Sequence, residues 1–300
     1  MADRRLQVFH AVAKQMSFTK AADVLFMTQP AVTFQIKQLE EHFNTRLFER
    51  GHGRISLTPA GELVLEYADR ILAMSAEMET RVKELTGRLS GPLLIGASTT
   101  IAEFLLPRVL GEFKAAHPEV EPRLMVANSE TIEGRVAEHT LDIGLIEAAS
   151  HLPALQTEAC CEDELQVVVA PSHPLAKHKT VTPKQLIGQA YVSREPGSGT
   201  REFTDLYLRK AGIEPAQLKA VMELGSPETI KGVVGTGLGF AILSRVTVEK
   251  ESRLGELAVL PLQPRLMRSL SLVYPKEKFR SRLVNTFVEF AKARLKAAHG

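Results

Sequence analysis

Ser193-Arg194-Glu195-Pro196-Gly197-Ser198-Gly199-Thr200-Arg201 is the stretch of this chain whose chemistry best suits a small anion. Its glycines let the backbone approach a bound group closely, while hydroxyls and arginine supply donors. Three further stretches follow the same rule: Ser98-Thr99-Thr100, Asn128-Ser129 and Gly225-Ser226-Pro227. Each follows an apolar run and opens a helical pattern, so hydroxyls sit beside the unpaired N–H groups of a helix start. Glu147 closes another apolar run and borders the same region. A carboxylate there repels an anion unless it bonds a ligand proton or pairs with arginine. The plainer reading of all four stretches is that they are N-caps, the ordinary role of Ser, Thr and Asn at helix starts.

A second surface lies in Thr28 to His42. Thr28 can act as N-cap, and Pro30 is tolerated in a first helical turn. At helical spacing, Val32, Ile36, Leu39 and Phe43 fall on one side. Pro30, Thr33, Phe34, Lys37 and Glu41 fall on the other, a small, polar and flat face suited to base edges in a major groove. Taken alone, such a segment is more often an ordinary amphipathic helix than a DNA-reading one.

Enzyme signatures fail. Gly235-Thr-Gly237-Leu-Gly239 has Phe240 where a dinucleotide fingerprint continues, and Gly197-Ser-Gly199 is not a nucleophile elbow. No Gly-Lys-Ser/Thr phosphate loop occurs, and the nine histidines are scattered without metal-ligand spacing. Adjacent Cys160 and Cys161 offer no disulfide framework and read as small buried side chains, with a redox switch as the sharper alternative. The expectation is a chain that is not an enzyme, with no catalytic residues, no metal and no cofactor.

The elements that must position these groups follow from periodicity. Arg4 to Lys14 predicts a helix with Leu6, Phe9, Val12 and Ala13 inward. Ser17 caps a short helix through Leu25, and the third helix follows after Phe26-Met27. Two short helices joined by a tight turn form a helix-turn-helix. Gly51 and Gly53 mark a hairpin tip flanked by Arg50 and Arg54, a wing whose arginines reach phosphate or minor groove. Pro59 to about Leu85 reads as one long helix. Val64, Ile71, Met78 and Leu85 recur every seven residues, with Tyr67 and Met74 between them, as in a short coiled-coil seam.

Gly87 to Pro92 reads as a hinge. Beyond it strands are predicted at Leu93–Ala97, Arg123–Ala127, Leu141–Ile146, Leu165–Ala170, Tyr191–Ser193, Ala220–Leu224, Phe240–Leu243, Leu257–Leu260 and Ser269–Tyr274. Helices are predicted at about Thr100–Ala116, Thr131–Glu138, Thr200–Ala211, Pro227–Val234 and Arg282–Ala297. Alternating strands and helices imply a mostly parallel sheet covered on both faces, which binds ligands at strand carboxyl ends.

Composition agrees with a soluble globular chain of two or three domains, 300 residues long. No apolar run has transmembrane length and no signal-peptide pattern opens the chain, so a cytoplasmic protein without a membrane partner is expected. Net charge is +2, but residues 1–58 carry eight Lys/Arg against five acids, leaving the remainder slightly acidic. A basic head on a near-neutral body is the asymmetry expected when only the head meets phosphate.

Ser17-Phe-Thr-Lys-Ala-Ala, Thr28-Gln-Pro-Ala-Val-Thr, Leu39-Glu, Leu47-Phe-Glu-Arg and Leu57-Thr-Pro-Ala-Gly61 together resemble the N-terminal domain of LysR-type transcriptional regulators. His173-Pro-Leu-Ala and Gly232 to Gly239 are similar to later segments of that family. The Thr-Phe-Gln-Ile-Lys variant resembles a branch that regulates carbon-fixation operons and sulfur assimilation. The resemblance implies an α+β multidomain chain. Residues 1–58 would be a winged helix-turn-helix and 59–90 a linker and dimerisation helix with hinge. Residues 91–300 would be a two-lobed α/β domain of periplasmic-binding-protein type. Lobe I would take about 91–162 and 267–300, and lobe II about 163–266.

It also implies DNA contacts at Gln29, Pro30, Thr33, Phe34, Lys37, Arg50 and Arg54. Many relatives carry Arg at the position of Phe34. Phe can pack on a thymine methyl but makes no bidentate guanine contact. Effector contacts carry over to Ser98, Thr99, Thr100, Ser129 and Thr200 with its neighbours Ser198 and Arg201. Asn128, Glu147 and Ser226 complete the candidate cleft. Its ligand is expected to be a compact anion, such as a sulfur oxyanion, a carboxylate or a phosphate ester. The implied partners are double-stranded promoter DNA, a second copy through the linker helix, a tetramer beyond that, and RNA polymerase. A bare solute-binding protein would leave residues 1–85 without purpose, and an architectural DNA protein would need no cleft.

Overall fold

Side-chain caps begin the first three helices. Asp3 accepts from Arg5 N, Ser17 from Lys20 N and Thr28 from Ala31 N. They open α1 (Arg4–Gln15), α2 (Phe18–Leu25) and α3 (Gln29–Phe43). Met16, Phe26 and Asn44 end them in the left-handed region. A hairpin follows, β1 (Phe48–Gly51) paired antiparallel with β2 (Arg54–Leu57), and then α4 (Pro59–Glu84). In this computed structural model the described residues are 3–51, 54–84, 89–147, 150–276 and 280–299. The chain divides into two units, Met1–Arg88 and Leu89–Gly300, each taken by itself below.

In the first unit Val8, Phe9, Val12, Ala21, Val32, Ile36, Leu39, Leu47 and Ala68 form one core. The Phe48 ring lies tilted against Phe9 and edge-on to Phe18, centroids 5.2 and 5.8 Å away. Glu40 of α3 accepts from Leu47 N at 2.8 Å, tying the helix to the hairpin. Gly61 is required there, since a β-carbon would lie 2.0 Å from Leu47 O. Phe43 departs from expectation. It is 46 % exposed, because α3 ends there and the core closes at Leu39. On α4, Val64 packs on this core, whereas Tyr67, Ile71, Met74, Met78 and Val82 are exposed in an i, i+4, i+7 stripe. Leu85 and the Gly87-Arg88 part of the expected hinge lie outside the described residues.

The second unit holds β3 (Gly91–Ser98), α5 (Thr99–Phe104), α6 (Leu106–Ala116), β4 (Val120–Ala127), α7 (Ser129–Ala137) and β5 (Ile143–Glu147). Then come β6 (Leu155–Val169), β7 (Ala190–Arg194), α8 (Gly199–Lys210), β8 (Lys219–Leu224), α9 (Pro227–Gly235) and β9 (Phe240–Ser244). α10 (Arg245–Leu254), β10 (Ala258–Pro275) and α11 (Arg282–His299) complete it. The strand order is β4-β3-β5-β10-β6-β9-β7-β8. β3 lies parallel to β4 and β5, and β7 parallel to β8 and β9. The two long strands β6 and β10 run antiparallel to each other between these groups, so the sheet is mixed rather than mostly parallel.

Separate cores lie under each group, around Ile95, Phe113 and Phe287 on one side and around Val167, Leu208 and Ile242 on the other. The chain is thus a helix-turn-helix unit followed by a two-lobed α/β domain. The expected helix Thr100–Ala116 is broken at Leu105, where Pro107 starts α6. The segments expected as Leu257–Leu260 and Ser269–Tyr274 are one strand, irregular between Pro261 and Leu266. α10 has no counterpart in the sequence reading; its Arg-Val-Thr-Val start is weak in helix propensity.

Candidate functional sites: a helix face and a buried polar cluster

The outward side of α3 is prepared for contact. Gln29, Pro30, Phe34 and Lys37 are exposed, while Val32, Ile36 and Leu39 hold the other side in the core. Thr33, half-buried, donates its hydroxyl to Gln29 O at 3.0 Å and accepts from Gln29 Nε2 at 3.2 Å. This pair pre-orders two polar side chains at the start of the helix. Phe34 stands 57 % exposed, a large apolar group presented to solvent. Lys37 Nζ lies 3.6 Å from Glu41, a loose surface pair that leaves the cation available. The β1–β2 hairpin pairs Gly51 with Arg54. Its tip and the side chains of Arg50 and Arg54 lie outside the described residues.

In the second unit, the strand ends bring their hydroxyls to one carboxylate. Glu147, the last residue of β5, is 3 % exposed. Ser129, first residue of α7, donates to its Oε2 at 2.7 Å. Gly199, first residue of α8, approaches so closely that a β-carbon would lie 2.7 Å from Glu147 Cβ. Two helix N-termini therefore face the carboxylate, which favours negative charge there.

Arg268 of β10 joins the parts. It donates through Nε to Asp163 of β6 at 2.7 Å and through Nη1 to Thr200 of α8 at 2.9 Å. The same Nη1 lies 3.7 Å from Glu147 Oε1. Ser244 donates to the other Asp163 oxygen at 2.6 Å. Arg194, at the end of β7, is also buried and forks onto Glu195 at 2.8 and 3.0 Å. Burial pushes the Glu147 pKa up, but the charge of Arg268, the Ser129 hydrogen bond, the charge of Arg194 and the nearby Ser98 hydroxyl outweigh it and hold the carboxyl below the ordinary range. It is ionised at neutral pH.

The plain N-cap reading holds for Asn128, which accepts from Thr131 N at 3.0 Å. Its amide also donates to Pro196 O at 3.1 Å, touching the turn before α8. Ser98, Ser198 and Ser226 make no side-chain cap bond although each precedes a helix. Ser98, Thr100, Ser129, Ser198 and Thr200 are buried, and Thr99 and Ser226 are half-buried. The structure gathers Ser129, Glu147 and Thr200 around Arg268. Arg201 turns instead to Glu223 at 2.6 Å and to Arg194 O at 3.1 Å.

Sequence reasoning missed Arg268, Asp163 and the buried role of Arg194. The one available signal was an arginine inside the apolar alternation of Leu266 to Leu272. The assembled chemistry, hydroxyls, helix starts and guanidinium groups, can hold and orient a compact anion. Among the described residues no group of three or more His, Cys, Asp and Glu is placed to hold a metal ion. No helix among them is long and apolar enough to cross a membrane.

Two family descriptions match the chain. "Bacterial regulatory helix-turn-helix protein, lysR family" covers residues 4–62, and "LysR substrate binding domain" covers residues 86–296. A protein of Porphyra purpurea described as "Probable RuBisCO transcriptional regulator" is 35 % identical over 287 residues, 94 % of this chain and 90 % of its own. The regulatory domain of CcmR from Synechocystis PCC6803, solved in complex with 2-PG, is 28 % identical with a TM-score of 0.63. That similarity covers 68 % of this chain and 97 % of the domain. Full-length CbnR complexed with its target DNA shares the fold at 22 % identity and a TM-score of 0.71, over 98 % of this chain and all 100 % of CbnR.

Proposed function

Since the chain belongs to the LysR family of bacterial helix-turn-helix regulators, we propose how its two units divide the work. The protein is a DNA-binding transcriptional regulator with an effector-binding domain. In our reading Gln29, Pro30, Thr33, Phe34 and Lys37 meet base edges and nearby phosphates, and Arg50 and Arg54 add backbone contacts. The exposed stripe of α4 pairs with that of a second copy, which suits two related half-sites. The bodies then assemble further into a tetramer and act on RNA polymerase at the promoter. The carbon-fixation regulators among its relatives point to an operon of that kind as target.

The effector in this reading is a small phosphorylated or carboxylated anion held between the lobes, with 2-phosphoglycolate as the first candidate because CcmR is solved with it. The observation that carries the reading is the set of serines at helix starts whose hydroxyls are not used as caps. The effector shifts the regulator only through its different affinity for two arrangements of the lobes. Calorimetric titration of 2-phosphoglycolate into the full chain tests this. Thr100→Val and Ser98→Ala are expected to weaken binding about tenfold or more while promoter affinity stays unchanged. Identical titrations for both variants and the parent would remove the ligand from this cleft.

A further inference from the structure

The cleft holds more donors than its own hydrogen bonds use. Arg268 Nη2 and Arg194 Nη1 are buried without a hydrogen-bond partner, and the buried Ser98 Oγ lies beside Glu147 without a hydrogen bond of good geometry. The arginine side chains are 0 % and 4 % exposed, so water does not serve these groups readily. Buried N–H groups without an acceptor are rare because nothing repays their lost hydration.

Glu147 stands among them. It takes the Ser129 hydroxyl at 2.7 Å but only approaches Arg268, at 3.7 Å, beyond hydrogen-bond length. Asp163 holds the same guanidinium at 2.7 Å, so Glu147 is the less firmly held of the two carboxylates. Glu195 occupies the other edge of Arg194. Glu147, Asp163 and Glu195 already outnumber Arg194 and Arg268, so a further anion adds charge with no counter-charge unless a carboxylate leaves.

We propose that Arg194 and Arg268 are the anion-anchoring pair of the cleft, and that Glu147 is a built-in stand-in whose carboxylate an incoming oxyanion displaces. This rests on the reading of the cleft as the effector site. The group recognised is a carboxylate or phosphate with acceptors for the two orphaned guanidinium N–H groups and the Ser98 hydroxyl. A singly charged anion then leaves the charge of the cleft unchanged, and a more highly charged one adds less than it would beside a retained Glu147, which lets a site that already contains a carboxylate accept an anion.

Glu147→Gln keeps the shape and removes the charge, and Ser129→Ala loosens the carboxylate without touching either arginine. Inorganic phosphate and, separately, acetate are titrated into the full chain and followed by calorimetry and thermal shift. E147Q is expected to bind at least one of them tenfold or more tightly than the parent, and S129A two- to fivefold. Adding Arg194→Gln to either variant is expected to erase the gain. The phosphate and acetate arms separate the two ligand classes. Equal anion affinity in parent, E147Q and S129A overturns the displacement, and so does a gain that survives R194Q. Neither result touches the effector reading, which stands or falls on the 2-phosphoglycolate titrations of T100V and S98A. Should E147Q fail to fold, S129A decides the matter alone.

Discussion

Arg268 Nη1 donates to Thr200 Oγ1 at 2.9 Å, tying a crossing strand to the first turn of α8. Both side chains are buried, and the same guanidinium holds Asp163. Arg268→Met would leave Asp163 and Glu147 buried with less counter-charge. Breaking a buried pair in this way costs about 3–5 kcal/mol. Thr200→Val removes only one charge-assisted bond, worth about 1–3 kcal/mol. Urea unfolding of the two variants is expected to rank them in that order, and equal midpoints would show that the network carries no such weight.

Gly199 has no room for a side chain. A β-carbon there would meet Glu147 Cβ at 2.7 Å and Glu147 O at 2.9 Å. Gly199→Ala is expected to push α8 away from β5 and to weaken binding of 2-phosphoglycolate at least tenfold. Gly232 offers the control, since nothing lies within 4 Å of where a β-carbon would stand. Gly232→Ala lies within α9 and is expected to be neutral or slightly stabilising, by up to about 1 kcal/mol. Calorimetry on both variants reads the difference.

On the DNA side, Lys37→Glu combined with Arg50→Glu places two acids where cations are expected to meet phosphate. Affinity for promoter duplex should fall at least a hundredfold at moderate salt, and the slope of affinity against salt should flatten. Fluorescence anisotropy over a salt series measures both. A folded double variant that still binds like the parent would mean that this face is not the one that reads DNA.

The depressed pKa of Glu147 has a defined sign. A carboxyl whose folded pKa lies below its unfolded value, about 4.3, contributes stability above that value and loses it as pH falls through the folded one. The stability difference between the parent and E147Q is therefore expected to narrow on acidification below about pH 4.3. Chemical denaturation from pH 7 to pH 3 measures it, and a constant difference would mean that folding does not lower the Glu147 pKa.

Much of this molecule was written in stretches of a dozen residues. Ser17 and Thr28 announced their helices, Pro30 sat in a first turn, and Val32, Ile36 and Leu39 marked the buried side of α3. The helix starts at Asn128, Ser198 and Ser226 were equally local. Caps, periodicity and turn chemistry depend on neighbours along the chain, so they are legible there. What only the tertiary structure decided was who meets whom. Arg268 lies 105 residues from Asp163 and 68 from Thr200, and Glu147 lies 18 from Ser129. No pattern of spacing encodes those meetings; they follow from β6 and β10 lying side by side and from two helices starting at one strand end. The same cause explains why Arg201, the more obvious cation in sequence, is held by Glu223 while Arg194 and Arg268 face the carboxylate.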